Sequence, residues 1–155
     1  MSVIGSIYFI VFIILIMFSL ITFDKRGKKY TNLSLFISFV ILVLLAGLRE
    51  GSPDQLTYAY VFKNTQSLFS YLVNGAQEEF FRYGFELVDV KGPNGFGYGI
   101  EFGFIVLVSV IKSVTANETI FFIVLASMSI GPIVYASKKL SPYPLLSILI
   151  YFSWY

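Results

Sequence analysis

Apolar residues dominate this chain in long uncharged runs. Met1–Phe23 carries no charge, nor do the nineteen residues between Lys29 and Arg49, nor Thr119–Ser137. A helix rises 1.5 Å per residue, so about 20 such residues match a hydrocarbon core of ~30 Å. The pattern predicts an all-α integral membrane protein, a multispanning helical bundle forming one membrane domain over 1–155. The spans are expected at about 3–23, 32–48, 100–115, 119–137 and 141–155. Between the second and third lies a polar segment, about 49–99, read as an extracytoplasmic helical loop.

Charge orients the spans. The loop Asp24–Lys29 reads DKRGKK, four basic residues and one acid. Basic loops stay in the cytoplasm, so this loop is expected inside and the start of the chain outside. Arg49–Glu101 holds four basic and seven acidic residues, which suits the outer side. The third span is ambiguous. Phe102–Ile111 is apolar for only ten residues before Lys112. A true crossing over 100–115 is the preferred expectation, although it brings Lys138 and Lys139 outside. A re-entrant half-helix would leave those lysines inside. The last apolar run begins at Ser141 and stops at Tyr155 with no flanking charge. That reads as an incomplete span of a truncated chain. The alternative is a short terminal span ending in an aromatic belt of Trp154 and Tyr155.

Within the polar segment, Ser52-Pro53-Asp54-Gln55 has the form of a capping box with proline at the first helical position. It predicts a helix to about Lys63. A second helix is expected from Thr65 to Asn74, its apolar side suited to a membrane surface, with Gly75 as its cap. Lys91–Gly99 is rich in glycine and reads as a flexible linker.

Composition narrows the chemistry. The chain is 57% hydrophobic and 13% charged, against about a quarter charged in soluble domains. It has no cysteine and no histidine. Thiol catalysis, a histidine base and the usual zinc ligands are therefore absent. No Asp-x-Asp motif supports a metal-bound nucleotide sugar, and the glycine stretch lacks phosphate-loop spacing. No metal, cofactor or nucleic acid is expected. Acid–base chemistry must run on Asp, Glu, Tyr, Lys or Arg.

Three side chains stand out. Arg49 ends the second apolar run. It either snorkels to ordinary lipid phosphates or binds the pyrophosphate of a lipid-linked substrate through paired, charge-assisted bonds. Asp54 and Tyr58 are four apart on one helix face. They are either a dipole-complementing acid and an interfacial tyrosine, or Asp54 lies near the same headgroup region as Arg49 as an acid, base or orienting group. Glu101 opens an apolar helix. It is either a capping acid or a partly buried general base.

Read in order, A-G-L-R-E-G-S-P-D-Q-L-T-Y-A-Y-V-F resembles the segment after the second span of the EpsG/Wzy-type membrane polysaccharide polymerases. Arg49, Gly51, Asp54, Tyr58 and Phe62 fit that pattern; Gln55 stands where a tyrosine is usual. E-F-G-F-I-V-L resembles the family's Glu-Pro-Gly-Phe helix opening through Glu101, Gly103 and Phe104, with Phe102 in place of proline. The resemblance covers about residues 30–155.

It implies a glycosyltransferase of the bacterial cytoplasmic (inner) membrane. Such an enzyme joins polyprenyl-pyrophosphate-linked oligosaccharide units into an O-antigen, capsule or exopolysaccharide. Asp54 and Glu101 would be catalytic; Arg49, Tyr58 and Gly51 would bind substrate. Membrane lipid and polysaccharide-export and chain-length proteins are the implied partners. A chain cut short is expected to be inactive alone. A transporter or flippase of lipid-linked sugars, or a noncatalytic membrane fragment, stays open beside this reading.

Overall fold

A computed structural model describes residues 3–23, 27–49, 53–73, 88–91, 97–100 and 102–154. Seven α-helices lie among them: α1 (Val3–Phe23), α2 (Thr31–Gly47), α3 (Pro53–Asn64), α4 (Leu68–Val73), α5 (Phe102–Val114), α6 (Glu118–Leu140) and α7 (Pro144–Trp154). A 3-10 turn, Gly27–Tyr30, leads into α2. The helical class agrees with the apolar pattern. One departure is a small antiparallel hairpin of β1 (Val88–Lys91) and β2 (Gly97–Ile100), paired from Val88↔Ile100 to Lys91↔Gly97. Its strands take in Lys91 and residues 97–99 of the stretch expected to be a linker. Four-residue strands with glycines in β2 carry little alternation, which is why the sequence pattern missed them.

The chain divides into two compact units, Met1–Gly47 with Ile123–Tyr155, and Leu48–Phe122. The first is made of apolar helices. Val11 and Leu15 of α1, Leu35, Leu42 and Val43 of α2, Ile130 of α6, and Leu145 and Ile148 of α7 form its core. Tyr8 stacks on Phe152 with ring centroids 6.2 Å apart. The opposite faces are as apolar as the core: Phe9, Ile10, Met17, Leu20, Leu33 and Phe36 are all exposed. A helix that is hydrophobic on every side needs an apolar surround, which a bilayer supplies. Among the described residues, α6 is the helix long and apolar enough to cross a membrane, and the shorter apolar stretches are Ile7–Thr22, Thr31–Gly47, Gly103–Val114 and Pro144–Ser153.

Local signals explain the ends of α6. Asn117 caps it, its Oδ1 accepting from the backbone N–H of Thr119 at 2.8 Å and Ile120 at 3.3 Å. Glu118 lies in its first turn and Lys138 and Lys139 in its last, each matching the helix dipole. Pro132 removes one ladder donor within the helix, a loss that buried membrane helices tolerate.

Gly47 ends α2 close to Ile123 of α6. A Cβ there would sit 3.0 Å from the Ile123 Cα and 3.2 Å from its backbone nitrogen. Backbone atoms cannot swing aside, so a side chain there requires the two helices to give by a few tenths of an ångström. Small residues permit such closeness at membrane helix contacts. Gly47→Ala is expected to cost about 1–3 kcal/mol, as overpacking does, and Gly47→Val more. Gly103 is the control, because a Cβ there meets nothing within 4 Å. Melting of the detergent-solubilised protein should fall for Gly47→Ala and stay level for Gly103→Ala. Equal melting of both variants would reject the contact.

Candidate functional site

The second unit carries the residues singled out by the sequence. Helix α3 starts at Pro53, as its proline and flanking polar residues predict, and ends at Asn64. Helix α4, Leu68–Val73, begins three residues later than expected and leaves Phe69 and Val73 exposed. Ser67 starts it by accepting from the Ser70 N–H at 3.2 Å.

Helix α5 packs along α3. Ala59, Val61 and Phe62 of α3 are buried, as are Val108 and Ile111 of α5. Phe62 also stacks on Phe121, at the start of α6, with centroids 4.4 Å apart. Two contacts give the direction of packing. Tyr58 meets Phe104 with ring centroids 5.1 Å apart. Further along both helices, Lys112 reaches the carbonyl of Phe62. Advancing along α3 thus advances along α5, and the two helices run parallel with their N-terminal ends on one side.

The C-terminal end of α3 is closed by α5. The Lys112 ammonium donates to the carbonyl oxygens of Phe62 at 2.7 Å, Lys63 at 2.8 Å and Thr65 at 2.5 Å. Its nitrogen also lies 5.4 Å from the centre of the Phe62 ring. A helix leaves its last four carbonyls unpaired, with partial negative charge there. One cation with three donors suits that end. The next residue joins in: the Ser113 hydroxyl accepts from the Leu68 N–H at 3.0 Å and donates to the Ser109 carbonyl at 2.9 Å. An exposed ion pair, Lys63–Glu118 at 3.1 Å, adds little because water screens it.

The predicted site residues fall as follows. Arg49 is exposed, two residues beyond the end of α2, and has no polar partner among the described residues. Asp54 is in the first turn of α3; its side chain lies outside the described residues. Tyr58 is on α3, 41% exposed, and its ring meets Phe104. Gly51 and Glu101 lie outside the described residues. Phe62 and Phe104 of the two sequence motifs contribute to the same helix pair, through Lys112 and Tyr58 respectively. Sequence reasoning missed Lys112, which it treated only as the end of an apolar run. The available signal was a lone lysine one turn beyond Val108 and adjacent to Ile111, on a helix otherwise without charge.

The chain is helical, and α6 is long and apolar enough to span a membrane. The chain belongs to the EpsG family, whose model matches residues 32–155. Membership associates it with polysaccharide biosynthesis at a membrane. No curated protein and no solved structure matches the chain.

Proposed function

We propose that this protein serves the polymerisation of lipid-linked oligosaccharide units into a surface polysaccharide. The supporting observation is the parallel pair α3 and α5. One carries Asp54 in its first turn; the other follows Glu101 directly in sequence. Two family motifs far apart in the chain thereby supply one end of one helix pair, with Arg49 four residues ahead of α3.

The chemistry suits those groups. The acceptor sugar hydroxyl attacks the anomeric carbon of the donor. A new C–O bond forms as the bond from that carbon to the pyrophosphate oxygen breaks. Polyprenyl pyrophosphate leaves with the bonding pair, and the hydroxyl proton passes to a carboxylate, Asp54 or Glu101. Arg49 meets the charge that grows on the departing phosphate. Tyr58 offers an aromatic face and a hydroxyl to a sugar, and Gly51 lets the backbone come close to the headgroup. No metal or cofactor enters this scheme. Polysaccharide-export and chain-length proteins are its natural partners.

The proposed setting is the bacterial cytoplasmic membrane, crossed several times, with 49–99 on the outer side. Helix α5 has 13 residues, about 20 Å, against a hydrocarbon core of ~30 Å. Its last turn is bonded to the end of α3, a helix of the acidic segment. We therefore adopt the non-crossing reading of 100–115. Helix α6 then enters from outside and leaves Lys138 and Lys139 in the cytoplasm, on the same side as the basic loop 24–29. Both basic clusters then obey the charge rule.

Deleting the gene from its own chromosome tests the function. A polymerase predicts single repeat units on the cell surface and no long chains. Loss of every outer-face unit would support a flippase instead. Unchanged polysaccharide would reject both.

A further inference from the structure

We propose that Lys112 is a positioning residue for this site, a clamp that sets the register of α3 against α5. The proposal rests on the polymerase reading for its consequence and on geometry for its mechanism. All three ammonium donors are spent on carbonyls at the end of α3: those of Phe62 and Lys63 in its last turn and that of Thr65 just beyond it. A lysine that merely snorkelled would point its charge to water or lipid phosphate. Here it points at a neighbouring helix end instead, while the Phe62 ring covers one side. Ser113 beside it holds the N–H that starts α4. Two consecutive side chains of α5 thus fasten the end of one helix and the beginning of the next.

The clamp acts at a distance from the chemistry. It grips the C-terminal ends of α3 and α5, and the helices are stiff. Sliding α3 by one residue would move Asp54 by about 1.5 Å along the axis. Misplacements of about 1 Å can cost on the order of 100-fold in rate. Lys112 therefore governs the register of α3, the helix that carries Asp54, against α5. It touches no substrate itself. The nature of the grip is also specific. Three carbonyls converging on one point suit a compact ammonium; a planar guanidinium fits them less well.

The test uses the absence of native cysteine, which makes introduced cysteines unique. Tyr58→Cys and Phe104→Cys together report the register through a short bis-maleimide cross-link in native membranes. Polysaccharide length is read separately, in strains carrying only the Lys112 change on the chromosome. Lys112→Met at wild-type abundance is expected to lose the cross-link and to lower long-chain polysaccharide roughly 10- to 100-fold. Lys112→Arg should restore both in part. Lys112→Cys should be as defective as Lys112→Met in isolated membranes, and alkylation with bromoethylamine, which rebuilds an ammonium at that place, should restore polymerisation. A general loss of folding would not be repaired by that reagent.

Retention of the cross-link in Lys112→Met overturns the clamp. Loss of the cross-link with normal polysaccharide overturns its role in the reaction. If unmodified membranes make no polymer while the cross-link responds as stated, the clamp stands and the polymerase reading falls.

Discussion

Replacing Arg49 with alanine on the chromosome is expected to abolish long-chain polysaccharide, a fall of about 100-fold or more at unchanged protein abundance. The magnitude follows from the charge that Arg49 faces in the proposed reaction. As the glycosidic bond to the lipid pyrophosphate breaks, negative charge builds on the bridging oxygen. A preplaced donor aimed at such charge is worth on the order of 10²–10³ in rate. Arg49 is exposed, and substitutions at exposed positions usually change stability little. Stability should therefore be spared. Arg49→Lys should recover only part of the activity, because an ammonium cannot make the paired bonds of a guanidinium to a phosphate. Analysis of chain length by gel checks both variants. Normal long chains in Arg49→Ala would end the assignment.

The second large effect concerns the two acids. Asp54→Asn and Glu101→Gln keep shape and remove the proton acceptor. Whichever carboxylate takes the acceptor proton should lose about 10²–10⁴ in turnover. Its partner, acting by orientation, should raise the apparent KM for lipid-linked substrate more than it lowers kcat. The helix pair gives a reason to expect both effects in one assay, since α3 and α5 present their N-terminal ends on the same side. Wild-type rates in both variants would remove acid–base catalysis from these positions.

Much of this arrangement was legible in the residues. The uncharged runs mark α1, α2 and α6 within a few residues, because each is apolar on nearly every side and flanked by charge. Pro53 after Ser52 marks the start of α3. The candidate residues were visible too, as charges at the ends of apolar runs. Other features were hidden for physical reasons. The paired strands Val88–Lys91 and Gly97–Ile100 have four residues each, and the second is half glycine, so neither propensity nor alternation rises above the turn signals. The parallel packing of α3 and α5 depends on contacts about fifty residues apart, such as Lys112 to Phe62. Helical periodicity reports only which face is buried, never against what. Length was the last ambiguity. Ten apolar residues before Lys112 suited either a crossing or a half-helix. What favours the latter is the tie from Lys112 to the end of α3, a partner that only tertiary structure reveals.

The central claim is that one outer-face centre draws on Arg49, Asp54 and Glu101. Side-specific labelling of single cysteines at positions 49, 54, 101 and 116 tests it most directly, again in a chain with no cysteine of its own. All four should react with a membrane-impermeant maleimide added to intact spheroplasts, while a cysteine at Ser141 should react only after permeabilisation. Protection of position 49 or position 101 until the membrane is opened would contradict the account.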